Sequence, residues 1–311
     1  MRQSPDALLA GVTKAVAYSG YRAGQYPDRG ESGESSPTPE QIREDLTLIE
    51  QAGFGLVRLY DSGAFSKEVL RIIAHDRRPV RVLLGAWLDA EMSNHEGCPW
   101  LHEPIPEEAL RAGRSHNLAE VDRTIALANA YPTIVVAVNI GNEALVSWND
   151  HMVPLDHMME HIERVRQAIA QPVSTADNYV VWAEQAHTLA ALDFAMVHTY
   201  PQWEGKSVDE AMAFTLDNLR VVREALPDVP IVIGEAGWAT EASEFGERAT
   251  EAHQARYCGE LLAWAAEANV TTMLFEAFDE PWKGDPGNPA GAEKHWGLFD
   301  VERRPKALLA G

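Results

Sequence analysis

An α/β fold, a single (β/α)8 TIM barrel, is what the sequence predicts. Three observations carry it: eight short, β-branched apolar runs, amphipathic helical stretches between them, and polar residues gathered where the runs end. The runs are 14–21, 56–61, 80–87, 134–143, 172–178, 194–201, 229–238 and 271–279. After the first, Thr38-Pro39-Glu40-Gln41 reads as a capping box with Pro at N1; Ile42, Leu46 and Ile49 follow at helical spacing, with a stop at Gly53. The segment 30–39 (GESGESSPTP) before that helix is the nearest thing to a linker, and it is too short to divide the chain. Residues 67–75 fit a helix after the second run. The third run leads into a long loop insertion, 89–116, without a clean helical period, and Asn117 with Glu120 then repeats the capping pattern. Residues 155–170 fit the next helix, the one after the fifth run is short, Ser207 with Glu210 opens another, and 251–269 completes the set. The expected organisation is one catalytic barrel domain over 1–311.

Composition narrows the function. The chain has 311 residues, 46% of them hydrophobic, enough for one large core at a length common among α/β barrels. Its 26 Lys+Arg stand against 47 Asp+Glu, a net charge of −21, which argues against a nucleic-acid partner. No stretch approaches the ~18 apolar residues of a membrane span. The start, MRQSPDALLAGVTKAV, lacks a secretory apolar core, so no export signal is read in this chain. Cys98 and Cys258 make no disulfide framework, and nothing in the pattern sets an oligomeric state.

Barrel active sites lie at the C-terminal ends of strands, where side chains buried on both faces should otherwise be apolar. Five runs end instead in Arg58-Leu59-Tyr60-Asp61, Asn139-Ile140-Gly141-Asn142-Glu143, His198-Thr199-Tyr200, Gly234-Glu235-Ala236-Gly237-Trp238 and Glu276-Ala277-Phe278-Asp279-Glu280. Glu143 and Glu235, ending the fourth and seventh runs, converge across such a mouth. A convergent pair suits glycoside hydrolysis: one carboxyl protonates the departing oxygen while the other attacks the anomeric carbon or activates water. Rim salt bridges are the competing reading. Asn142 is placed to bond a sugar 2-hydroxyl, while Arg58 and Tyr200 can donate to Glu235 and keep it charged, which favours the proton on its neighbour.

Eight of the nine tryptophans, all but Trp264, fall at run ends or in the loops that follow. Flat indole faces suit pyranose rings, although packing under loops would place them there too. Trp203 and Trp282 are the leading substrate-binding candidates, joined by Trp238 and by Tyr18 on the first run. His95, Cys98 and His102 have a zinc-like spacing but lack a fourth ligand, so packing is the preferred reading and no metal is expected. Cys258 reads as a buried thiol.

The ordered motifs Val57-Arg58-Leu59-Tyr60, Gly141-Asn142-Glu143, His198-Thr199-Tyr200-Pro201, Gly234-Glu235-Ala236-Gly237-Trp238 and Phe275-Glu276-Ala277-Phe278-Asp279-Glu280-Pro281-Trp282-Lys283 resemble glycoside hydrolase family 17, the β-1,3-glucanase family, and its bacterial members especially. The likeness runs from 15–22 to 295–300. It implies Glu143 as acid/base and Glu235 as nucleophile of a retaining double displacement. It also implies Glu280 with Lys283 as a supporting pair, Tyr60 and Tyr200 close to the reacting sugar, and Asn142 on a sugar hydroxyl, with Arg58 and His198 completing the supporting set. Retention requires the two carboxyls about 5 to 5.5 Å apart. The implied partner is a β-1,3-glucan oligo- or polysaccharide, with no cofactor. Glucanosyl transfer on the same substrates is the alternative to hydrolysis, and a silent glucan-binding protein a more distant one. Relatives of this kind work outside the cytoplasm, which the missing leader leaves open. The insertion at 89–116 departs from the family pattern and is where the choice between hydrolysis and transfer is expected to be made.

Overall fold

The computed structural model describes residues 1–27 and 36–310, so residues 30–35 of the linker-like segment lie outside the described residues. Eight strands form a closed parallel barrel in chain order, β8 returning to pair with β1. They are β1 (Lys14–Ala17), β2 (Leu56–Leu59), β3 (Arg81–Ala86), β4 (Val135–Asn142), β5 (Val173–Asn178), β6 (Ala195–His198), β7 (Ile231–Ala236) and β8 (Thr272–Leu274). The helices are α1 (Pro39–Gln51), α2 (Ala64–Asp76), α3 (Glu107–Ala130), α4 (Leu155–Arg166), α5 (Tyr179–Glu184), α6 (Ala186–Leu189), α7 (Val208–Ala225), α8 (Glu251–Ala268) and α9 (Ala307–Ala310).

Two apolar layers hold this arrangement. Inside the barrel, Ala15, Leu56, Leu83, Ala137, Ala176, Met196, Val232 and Met273 pack together, one from each strand, with Leu9 against them. The interior is therefore a filled core, and ligands are confined to the mouth. Outside it, the helices lay their apolar stripes on the strands, as Ile42, Leu46 and Ile49 of α1 do. Both expected capping boxes form: Thr38 Oγ1 accepts from Gln41 N at 3.3 Å while Gln41 Oε1 accepts from Thr38 N at 2.8 Å, and Ser207 with Glu210 repeats the device.

The strands are shorter than the apolar runs, whose last residues lie past the regular ladder. Register shifts fall between Asn139 and Asn142, Val197 and His198, and Ile233 and Ala236, so regular pairing breaks down beside the candidate side chains. One element starts elsewhere than expected. α3 begins at Glu107, ten residues before Asn117, so the irregular part of the insertion ends near residue 106. Its first turns are mostly exposed and carry no apolar stripe to read. Asn117 is no cap. From inside the helix it accepts from Asp89 N at 2.7 Å and donates to Asp89 O at 3.0 Å and to Glu91 Oε1 at 2.8 Å, tying the loop to the helix. Among the described residues no helix is long and apolar enough to cross a membrane.

Candidate active site

Glu235 lies in β7 opposite His198 of β6. The strand end can pack there because residue 237 is glycine: a Cβ at that position would stand 2.1 Å from the Phe275 carbonyl oxygen. Three donors converge on the carboxylate. Arg58 Nη1 and Tyr60 Oη each donate to Oε1 at 2.9 Å, and Tyr200 Oη donates to Oε2 at 2.6 Å. Burial alone would lift the Glu235 pKa, but the adjacent His198 ring, the Arg58 charge and the two phenol hydrogen bonds outweigh it and hold the carboxyl below its ordinary value. Burial, and then the Glu235 charge, push Tyr60 and Tyr200 well above the usual phenol value, so both remain O–H donors.

Glu143 stands one residue past β4, on a turn that needs the left-handed region twice: Gly141 has φ 75° and Glu143 itself φ 48°. Its side chain is 21% exposed against 6% for Glu235, so it is the carboxyl more open to the cleft. His198 Nδ1 lies 2.9 Å from Glu143 Oε1 and 3.5 Å from Glu235 Oε2. The imidazole's other nitrogen, Nε2, is 3.0 Å from Arg58 Nη1. A guanidinium only donates, so Nε2 must accept, and the ring proton sits on Nδ1, facing both carboxyls. One oxygen from each glutamate and this nitrogen lie within 4.8 Å of one another. That spacing alone would suit a cation. The donor set does not, because Arg58 keeps Nδ1 protonated and already occupies Glu235 Oε1.

Asn142 accepts from Arg58 Nη2 through Oδ1, which turns its amide nitrogen to the cleft. Beyond β8, Lys283 Nζ donates to Glu276 Oε2 at 2.8 Å and pairs with Glu280. Burial opposes the Lys283 charge, but Glu276 and Glu280 overcome it and raise the ammonium above its usual value. Glu280 Oε1 accepts from Trp282 Nε1 at 3.0 Å, so the pair fixes an aromatic wall of the cleft. Glu276 was legible only as one of the polar run ends. Burial and then the Glu280 charge raise its pKa well above the ordinary carboxyl value.

The cleft over this network measures about 1380 Å³ and is bordered by Trp87, Trp100, Trp148, Trp203, Trp282 and Trp296. Two tryptophans counted on the mouth side are elsewhere. Trp238 is fully buried beneath it, with Nε1 donating to Arg248 O at 2.8 Å and its ring against Tyr257, which removes it from the substrate-binding set. Trp182 is equally buried, bonded to Met196 O. β7 ends at Ala236, and past the ladder the chain turns Trp238 under the mouth against Tyr257 of α8. Tyr18 borders the cleft at 1% exposure, but its hydroxyl is committed to Asp45 at 3.1 Å, so it supports the wall and offers no polar contact. His95, Cys98 and His102 form no metal-like group among the described residues; Cys98 is buried and His95 Nδ1 faces Ser93 Oγ at 3.4 Å. Cys258 is buried as expected, and burial pushes its thiol up to about 12.

Comparisons with known proteins give the family and bear out the barrel fold. The family model of the BtgE/BtgC glycoside hydrolase domain matches residues 15–297. A glucan 1,3-β-glucosidase of Arthroderma benhamiae is 28% identical over 273 residues, which is 80% of this chain and 78% of that protein. An endo-laminarinase from Formosa superposes with a TM-score of 0.80 at 25% identity, over 98% of this chain and 88% of the other. A glycoside hydrolase family 17 β-1,3-glucanosyltransferase from Rhizomucor miehei shares the fold, with a TM-score of 0.71 at 21% identity over 98% and 97% of the two chains. The match takes in all eight strands and both mouth glutamates, and the chain belongs to the BtgE/BtgC glycoside hydrolase family, a family-17-like group of glycoside hydrolases.

Proposed function

We propose that the protein hydrolyses β-1,3-glucosidic bonds of laminarin-type glucans with net retention, Glu143 serving as acid/base and Glu235 as nucleophile. The observation that carries this is a carboxyl pair whose facing oxygens lie within 4.8 Å of one another, which supports the close spacing of a retaining enzyme over the wider gap that an intervening water needs. The unequal surroundings support this division of roles. Glu235, ringed by donors and held anionic, attacks C1 as the C1–O bond to the departing sugar breaks. Glu143, on the open side, gives its proton to that oxygen. The resulting glucosyl ester is then hydrolysed: Glu143 takes a proton from water, the water oxygen bonds to C1, and Glu235 leaves as carboxylate. The His198 Nδ1 proton faces both carboxyls, so it can follow the negative charge from one to the other. Asn142 holds the 2-hydroxyl, Glu280 with Lys283 keeps Trp282 in place, and Trp203, 46% exposed, offers a stacking face.

The names of the Arthroderma and Formosa relatives support a β-1,3-glucan as substrate, and the acid excess suits a neutral polymer. The whole chain, 1–311, is proposed to work as one catalytic unit. Placement with the bacterial members belongs to the same proposal, supported by the higher TM-score to the Formosa chain.

A time course on reduced-end-labelled laminari-oligosaccharides, wild type beside Glu143→Gln, tests this reading. Wild type is expected to give shorter products only, and the variant to be slower by about 10²- to 10⁴-fold, the usual worth of a general acid. Products longer than the substrate would make the protein a transferase, while no conversion by either protein would leave a binding protein. Trp203→Ala is expected to raise KM for long oligosaccharides by about 3- to 10-fold with kcat little changed, the scale of one aromatic contact. An unchanged KM would remove Trp203 from the binding surface.

A further inference from the structure

We propose that Asn149 and Asn94 are positioning residues for Glu143, so that the irregular insertion after β3 acts on catalysis by holding the acid/base in place. The inference rests on the reading of Glu143 as acid/base. Asn149 Nδ2 donates to the Glu143 carbonyl at 3.0 Å and to its Oε2 at 3.3 Å, gripping backbone and carboxyl with one amide. Both targets accept, so the amide has one workable orientation. Asn94 then fixes the loop that carries Asn149: its Nδ2 donates to Ser147 O at 2.7 Å and also to Asn149 O. Asn94 Oδ1 is buried without a partner, an unmet group retained while the nitrogen is held against two carbonyls. The two loops are in backbone contact as well, since a Cβ on Gly97 would stand 2.7 Å from Ser147 O. A left-handed glutamate is a conformation that surrounding structure must enforce, and these contacts supply that enforcement.

A structural strut and a positioning residue differ in what they do to leaving-group dependence. A dinitrophenyl laminaribioside needs no proton to depart, whereas a laminari-oligosaccharide does. Asn149→Ala and Asn94→Ala are expected to lose about 10-fold in kcat/KM on the oligosaccharide and to stay within about 2-fold on the aryl substrate, because only the proton donor is misplaced. The readout is a ratio within one sample, so a partly unfolded population cancels from it; Asn94→Ser supplies a second variant should Asn94→Ala not fold. Equal losses on both substrates, or none on either, would overturn the proposal. Glu143→Ala is measured alongside. If it fails to discriminate between the substrates, the acid/base reading itself fails; if it discriminates and the asparagine variants do not, only the present inference falls.

Discussion

Glu235→Ala is expected to lower turnover of laminari-oligosaccharides by at least about 10⁴-fold, some 5 kcal/mol of barrier, and added azide is expected to restore product formation. The argument starts from what the substitution leaves. Arg58 Nη1, Tyr60 Oη and Tyr200 Oη all point at the vacated carboxylate position, so a small anion finds a ready-made cradle on the face from which Glu235 attacks. Azide bound there forms the C1–N bond as the C1–O bond breaks and Glu143 protonates the departing sugar. The product is a glucosyl azide of inverted, α configuration, and it persists because no nucleophile lies opposite to displace it. Anomeric proton couplings in the product spectrum read this directly. Unimpaired turnover by the variant would take Glu235 out of the mechanism, and a β-azide would transfer the nucleophile's role to another group.

How far the sequence went depends on how local each signal is. Eight strands were legible because burial on both faces writes continuous apolar runs, and the departures from that rule, Arg58, Glu143, His198 and Glu235, are the residues the barrel brings together. The caps at Thr38 and Ser207 were legible because a capping box is closed within four residues. α3 was misplaced because a helix whose opening turns face solvent has no period to detect, and Asn117, a good cap by composition, is used in a tertiary contact with Asp89. Trp238 went wrong for a related reason. Its position in the sequence gives the strand end, whereas the face it takes depends on how the chain leaves the ladder. Asn149 carries no signal at all in one sequence: its importance lies in a left-handed turn at Glu143 that no residue type announces.

Arg58→Met is expected to destabilise the protein by about 3 to 5 kcal/mol near neutral pH, on the order of 10 °C in melting temperature, together with severe loss of activity. The guanidinium is fully buried and donates to Glu235 Oε1, Gly234 O, Asn142 Oδ1 and His198 Nε2, so methionine keeps the volume and strands four acceptors. The dominant loss is a buried carboxylate without its cation, and pH separates that from packing. In the wild type Glu235 titrates below the 4.5 of a free glutamate, so its ionised form adds stability above that pH and the benefit fades as pH falls through the lower, folded value. In the variant burial is less opposed, the carboxyl moves up, and ionisation at neutral pH costs stability instead. The gap in melting temperature between the two proteins should therefore be widest near neutral pH, where Glu235 is ionised in the wild type, and narrow as pH falls below 4.5 through the lowered, folded value. The acid limb of kcat/KM should shift upward in parallel, since the nucleophile must be ionised to attack. A gap that stays constant with pH would mean that Arg58 acts through its contacts with Gly234 and Asn142, and that the charge on Glu235 is held by Tyr60, Tyr200 and His198 without it.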